Sequence, residues 1–595
     1  MTTPADHDTV DHRGAGRDTL GQTGDRRAVG LARLTIGLVQ GLVLYWLFQS
    51  TEGGPLTWPA TNPTLFGPLL IVSLYLPLVL LAGVGRLRLL TLMIWSGLAT
   101  VALALLAWHD IARQTGITNQ LSFGLMAFGA TALFISHHLI VPADRERRLF
   151  ANYATYFDVA WMAGVQLALS IAFTGAFWLL LFLGAALFNI IGLGFLGDLL
   201  EKAWFSLPLT SLVFATAVQL TDVRDGLIRG VRTVALMLLS WLLLVLTVLV
   251  GGFLAALPFT GLKGLWETGS ATSLVLAATG GLIILINAAY QDGRADNLPP
   301  STLRMAVRVA SVLLTPLVVI AAWGLSLRIG QHGLTPDRII AMACTLVGVG
   351  YAGGYGFAAL RTLWSRGDWM QPLERTNIAT AVLEVAVILA LFSPIADPAR
   401  LSVADQVSRL QGGKVAADKF DYEFLQNGSG KVGQAALAAL AGSDDPAIAD
   451  RARAAQAGQV SADDTPEFKP LIEVLPGSPG LPDRFFQDVD IADPRNNCRT
   501  AGDCLATWGP GIGFPEGDIL LVQSDVVTLY TEEGEDGTWQ AKGTFRPVVC
   551  VNKSAVDARD LLRQRKLRAA GHQRPALDTD SAVPSELIAD SPPRC

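Results

Sequence analysis

Charge is what this chain has least of. Across 595 residues only 16% are Asp, Glu, Lys or Arg, while 51% are hydrophobic and the mean hydropathy is +0.41. A soluble protein carries about 25% charged residues to cover its surface, so a soluble globular fold is excluded for most of the length. A basic stripe is missing as well, and a pI near 5.7 gives nucleic acid nothing to bind. Histidine is sparse: only His572 follows His332. Cysteine is absent before Cys344. With five residues between Cys498 and Cys504, the pattern lacks zinc-ligand spacing. No P-loop, nucleophile elbow or HExxH motif occurs, so the residues imply no cofactor, no metal and no familiar enzyme class.

What is abundant is long apolar runs. A span needs about 20 mostly apolar residues to cross a bilayer. Uncharged stretches at 34–51, 53–85, 89–109, 114–143, 159–197, 203–221, 233–262, 268–291, 309–327 and 339–360 supply ten. An eleventh, 377–396, carries Glu384, and its Leu, Ile, Val and Phe residues can offset a cost of about 2.5–3.5 kcal/mol for a central charge. The fold class expected is an all-α polytopic membrane protein of about 11 helices with a C-terminal soluble α+β domain.

Arginine placement gives the orientation, because cytoplasmic loops retain positive charge. With the N-terminus inside, the cytoplasmic segments hold 19 of the 24 bases in residues 1–396, in clusters around Arg26, Arg86, Arg147, Arg229, Arg304 and Arg366. The opposite loops hold Arg113, Lys202, Lys263, Arg328 and Arg338. Splitting 159–197 into two spans would move three of the clusters outside, so it is expected to be one long helix ending near Asn189, followed by a Gly-broken interfacial segment. Trp46, Trp58, Trp108, Trp204 and Trp266 sit near the outer ends as interface anchors or packing residues. Arg26-Arg27 serves as a topology determinant, since no small-residue cleavage site follows the first apolar run. These counts put the N-terminus inside and the C-terminal part on the outer side of a membrane, with the lipid bilayer as partner.

The domains expected are a disordered cytoplasmic tail at 1–30, a membrane domain at 31–396, a helical segment at 397–458, a Pro/Gly-rich irregular region at 459–517, a β-rich region with a terminal helix at 518–570, and a disordered tail at 571–595. Residues 397–595 hold 30 of the 51 acids and seven of the nine lysines, so they are solvated. The Ala-rich stretch 431–457 predicts two short helices around Gly442-Ser443. Four runs, 519–523, 526–530, 538–542 and 548–551, predict an antiparallel sheet, and Ser554 with Asp557 resembles a capping box opening a helix through Ala569. Cys498, Cys504, Cys550 and Cys595 are disulfide candidates in an oxidising compartment; the short loop pairs Cys498 with Cys504 and leaves Cys550 and Cys595. Cys344, inside a span, is an inert packing residue.

Gly348, Gly350 and Gly353 match the dinucleotide-binding pattern, but no strand precedes them. Gly350, Gly353, Gly354 and Gly356 instead make a small-residue face for helix packing. Ionisable groups in spans are functional candidates by default. Glu384, His137, His138 and Asp158 all fall toward the cytoplasmic ends of their spans, where they form either a proton- or cation-handling cluster or a set of structural hydrogen bonds.

The segments His137-His138-Leu139-Ile140-Val141-Pro142-Ala143-Asp144-Arg145, Tyr153 to Trp178, Gly333-Leu334-Thr335-Pro336-Asp337-Arg338 and Tyr351-Ala352-Gly353-Gly354-Tyr355 together resemble the bacterial multi-pass membrane family catalogued as domain of unknown function 4153. The likeness extends through Asp421-Tyr422-Glu423-Phe424-Leu425. It implies a multi-pass membrane protein and carries over no catalytic residue. The architecture best fits a transport or envelope-associated protein whose periplasmic domain meets a periplasmic or envelope protein. The alternatives are a membrane-embedded enzyme on a lipid-linked substrate, with Asp198, Glu201, His332, Asp337 and Arg338 as outer-loop candidates, or a signalling or assembly scaffold. Thr335-Pro336-Asp337 is also a natural helix start.

Overall fold

A computed structural model describes residues 12–52, 55–115, 119–223, 225–261, 271–294, 298–362, 369–457, 472–476, 478–488, 503–512, 514–515, 517–523, 526–533, 538–545, 558–564, 567–569 and 587–589. Ten helices among these are long and apolar enough to cross a membrane. They are α1 (His12–Gln49, apolar from Arg27), α2 (Pro63–Gly83), α3 (Leu89–Arg113), α4 (Phe123–Glu146), α5 (Tyr153–Ile190), then, beyond the short α6 (Phe195–Glu201), α7 (Ala203–Val223), α8 (Asp225–Thr260), α9 (Ala271–Tyr290), α10 (Ser301–His332) and α11 (Pro336–Arg361). The long run near residue 170 is a single helix. It ends at Ile190, where Gly192 turns the chain at φ 80° before α6. Helix α1 already begins at His12, inside the segment expected to be a disordered tail, because an established apolar helix propagates backward one hydrogen bond at a time without a new nucleus.

Helix α12 (Pro372–Leu391) holds Glu374, Arg375 and Glu384 in 20 residues, which is why it stands apart from the ten. Its ends nevertheless reach both ends of the bundle. At its start Glu374 Oε1 accepts from the Tyr290 hydroxyl at 2.9 Å, beside the end of α9. Beyond its other end Asp397 meets His109 Nε2 at 3.1 Å, near the end of α3. Helices α9 and α3 run in opposite senses, so α12 traverses the block.

Up-and-down order is visible in the cross-links. One end, rich in arginine, joins Arg33 to Asp222 and Arg88 to Asp144. At the distal end Asn119 donates to the Ala60 carbonyl at 3.1 Å, and Trp46 stacks near Trp58 at 5.5 Å. Trp108 and Trp204 are exposed there, and Trp266 lies outside the described residues. Between helices, small residues set the approach. A Cβ on Gly41 would fall 2.3 Å from Pro208 Cα, and one on Gly37 2.5 Å from Ala215 Cβ, so α1 and α7 touch almost backbone to backbone.

Two compact units divide the chain at Asp444/Asp445, not near residue 397. The segment after α12 belongs with the membrane block because its polar groups pair with helix ends there. Asp397 caps α13 (Pro398–Gln411) through the Ala399 N–H at 2.9 Å, with Pro398 in the first turn. Arg409 donates to the Gln331 carbonyl at 2.8 Å, and the Asp405 carboxylate accepts from Leu334 N–H at 2.7 Å. Helix α14 (Gly430–Leu440) closes this unit, with Lys431 Nζ on the Ala112 carbonyl at 2.8 Å.

The second unit begins with α15 (Pro446–Gln456), capped by Asp445. Its sheet runs β1 (Ile472–Val474), β2 (Cys504–Trp508), β3 (Ile519–Val522), β4 (Val527–Glu533), β5 (Thr538–Phe545) in that order; β1 and β2 are parallel and the others antiparallel. Strands β1 and β2 fall in the stretch expected to be irregular. The Pro and Gly residues around them mask three- to five-residue strands. All four residues of β3 are buried because α16 (Asp483–Asp488) and α17 (Ala558–Arg563) belong to cores on opposite faces of the sheet. The terminal helix stops at Arg563, short of Ala569, and β6 (Leu567–Ala569) pairs with β7 (Leu587–Ala589), a strand inside the expected disordered tail. The run 548–551, Ser554 and Asp557 lie outside the described residues.

Candidate functional site

A cavity of about 180 Å³ lies inside the membrane block, walled by α2, α4, α5 and α7. Most of its lining is aliphatic or aromatic, with Leu133, Phe134, Ala163 and Leu167 among the contributors. Five polar side chains join it: Tyr75, Arg86, His137, His138 and Gln166. The helical repeat explains the convergence, since residues 130, 133, 134, 137 and 138 share one face of α4. Apolar walls with a few convergent polar groups are the usual form of a small-molecule site.

Hydrogen bonding sets the histidines apart. Trp95 Nε1 donates to His137 Nδ1 at 3.1 Å, so the neutral ring carries its proton on Nε2 as a donor. His138 Nδ1 donates to the Phe134 carbonyl at 2.6 Å, which leaves its Nε2 as an acceptor. The two rings meet edge to face at 5.3 Å. The polar end is closed by a charged network. Arg33 Nη1 donates to Asp222 Oδ2 at 2.7 Å and to Gln219 Oε1 at 2.8 Å; Arg86 Nη2 donates to Asp222 Oδ1 and to Gln166 Oε1, the latter at 2.8 Å. Gln166 in turn donates to the Val218 carbonyl at 3.1 Å. One carboxylate shared by two guanidiniums leaves this network with an excess positive charge beside the cavity.

The other ionisable candidates have different partners. Asp158 binds Arg232 Nη2 at 2.6 Å, and that guanidinium also lies 5.3 Å over the Phe157 ring. Glu384 interacts with the Tyr351 hydroxyl across α11 and α12. Only His137 and His138 are brought together. Of the glycines, Gly350 and Gly354 face Thr380 and Thr376 of α12, Gly356 faces Thr315 of α10, and Gly353 faces open space.

Two further polar assemblies lie apart from the ionisable groups within the apolar runs. Near the arginine-rich end Tyr153, Asn287, Tyr355 and Asn377 form a closed ring: Asn287 Nδ2 donates to Tyr355 Oη at 2.7 Å and Asn377 Nδ2 to Tyr153 Oη at 2.9 Å. The available signal was Asn287 and Asn377 themselves, amides within apolar helices. At the distal end buried Asp110 accepts from Arg113 Nη2 at 2.8 Å and from Ser122 N–H at 2.7 Å, while Arg113 also reaches Asp397 at 3.5 Å. Among the described residues Cys344 is a free thiol and Cys504 is not; Cys498, Cys550 and Cys595 lie outside them. The described residues contain no group of three or more His, Cys, Asp or Glu placed to hold a metal.

A family model described as domain of unknown function (DUF4153) matches residues 60–441. That interval covers α2 through α14 and contains both the cavity-lining histidines and the Asp397 junction. No curated protein and no solved structure matches the chain.

Proposed function

Because this chain belongs to the domain-of-unknown-function family DUF4153, we propose that it is an envelope-associated protein of the bacterial plasma membrane that takes up an amphiphilic, lipid-soluble molecule within its membrane block, as a transport or lipid-handling protein would. The observation that carries this is the cavity at His137 and His138. Its apolar walls suit a hydrocarbon body, its donor and acceptor imidazole nitrogens suit a polar head, and the surplus positive charge at Arg86 and Arg33 favours a head with anionic character. Phe134 and Leu167 line the cavity and are also exposed on the membrane-facing surface, which offers a lateral way in from the bilayer. Native mass spectrometry of gently purified protein tests it. Wild type is expected to retain a discrete lipid-soluble ligand that Ala163→Trp, which fills the cavity, releases. Identical spectra for the two proteins contradict the proposal.

The same proposal places the N-terminus in the cytoplasm and the C-terminal unit in the periplasm, available to an envelope protein. The arginine distribution and the traverse of α12 support this orientation. Reporter fusions after Arg88, Arg148, Arg232 and Arg366 are expected to report cytoplasm, and one after Pro398 periplasm. In intact cells Cys498 and Cys504 are expected to resist alkylation as a disulfide pair. Free thiols at both positions, or a cytoplasmic Pro398 fusion, would reverse the assignment.

A further inference from the structure

A second cavity, of about 430 Å³, opens at the distal end between α10 and the start of α11. Gly324, Leu327, Arg328, Gln331 and His332 form one wall at the spacing of a single helix face, and Arg338 stands opposite. From Gly324 to His332 the helix rises about 12 Å, so the cleft grades from an apolar depth to a cationic mouth. Leu327 and neighbouring Trp323 are exposed, and they continue the apolar depth onto the membrane-facing exterior.

Positive charge is concentrated at the mouth. Arg338 feels the charges of both Arg328 and Arg409. Arg338 Nη1 is held by the Gly333 carbonyl at 2.7 Å, and Arg409 Nη2 by the Gln331 carbonyl at 2.8 Å, so backbone oxygens position these guanidiniums without neutralising them. Among the described residues Asp337 and Asp405 are carboxylates with contacts here. Asp337 acts on Arg338, and Asp405 is already engaged by Leu334 N–H. Among the described residues neither Arg338 nor Arg409 forms an ion pair, and Arg409 Nε is buried without a hydrogen-bond partner.

We propose that this cleft binds the phosphate headgroup of an anionic lipid, with an acyl chain lying along Gly324 and Leu327. Guanidinium forks match phosphate oxygens in pairs, and a cleft that is cationic at the interface and apolar below it matches a lipid in both parts. Free phosphate shares the headgroup chemistry but has no use for the apolar depth.

Calorimetric titration of the full chain in neutral detergent separates the sources with two probes, dihexanoyl phosphatidic acid and inorganic phosphate. The lipid probe is expected to bind saturably and inorganic phosphate far more weakly. Arg338→Gln is expected to weaken lipid binding about tenfold or more, with Arg338→Lys retaining part of it. Where Arg338→Gln fails to fold, Arg328→Gln is read in its place. Equal lipid binding in wild type and a folded Gln variant overturns the proposal, and inorganic phosphate binding as tightly as the lipid overturns its assignment to a headgroup. The two cavities share no residue, so failure here leaves the His137–His138 site to its own test.

Discussion

Asp222→Ala is expected to lower the stability of the membrane block by about 3 kcal/mol, at the low end for breaking a buried ion pair, because Asp222 is itself partly exposed. The asymmetry of the site drives the loss. Arg33 is 1% exposed and its Nη1 has Asp222 and Gln219 as partners, so removing the carboxylate strands a guanidinium that cannot reach water. Arg86 loses its ion pair in the same step. Asp222→Asn keeps the oxygen and should cost less, while Arg33→Met combined with Asp222→Leu should recover much of the loss, since an apolar pair needs no solvation. Denaturation in mixed micelles, read by helical circular dichroism, gives the order. Equal stability for wild type and Asp222→Ala would mean that the network contributes nothing.

Helix packing provides the second large effect. A Cβ at Gly41 meets Pro208 Cα at 2.3 Å and the Leu207 carbonyl oxygen at 2.9 Å, and backbone atoms cannot rotate away. Gly41→Ala must therefore push α1 from α7, at a cost of about 1–3 kcal/mol for overpacking, and Gly41→Leu more. Gly354→Ala should cost a similar amount, because the new Cβ falls 2.1 Å from Thr376 Oγ1 and 2.7 Å from Thr376 Cβ. Its neighbour supplies the control: Gly353 has nothing within 4 Å, so Gly353→Ala should be neutral or slightly stabilising in helix propensity. A shared response of Gly353→Ala and Gly354→Ala would attribute the effect to propensity and remove the packing account.

These two cases also mark what can be read from a one-dimensional pattern. Apolar run length located the helices, and Arg asymmetry supported a single helix through residues 159–190 against an internal break. The start of α11 was legible for a local reason: Thr335 accepts from Arg338 N–H three residues on, and Pro336 suits the first turn. The Arg33–Asp222 pair was not legible, because 189 residues separate its members and each looks like an ordinary loop charge. Charge density rises at Asp397 as it would at the start of a soluble domain, yet Asp397 caps α13 and binds His109 and Arg113. Composition reports solvation on average and cannot tell a helix cap from a domain boundary. Gly353 shows the converse limit. A four-glycine stripe looks uniform in sequence, but a helix presents its residues about 100° apart, so adjacent glycines face different neighbours.

Photo-crosslinking in native membranes tests most directly whether the membrane block holds a specific lipid-soluble molecule. A photoreactive side chain replaces Leu167, which lines the cavity, and in a parallel protein replaces Val101, which is exposed on α3. The Leu167 position is expected to yield one discrete adduct mass that disappears when Ala163→Trp is added, while Val101 yields the spread of bulk lipids. The same bulk-lipid spread from both positions, unchanged by Ala163→Trp, would contradict a ligand site at His137 and His138.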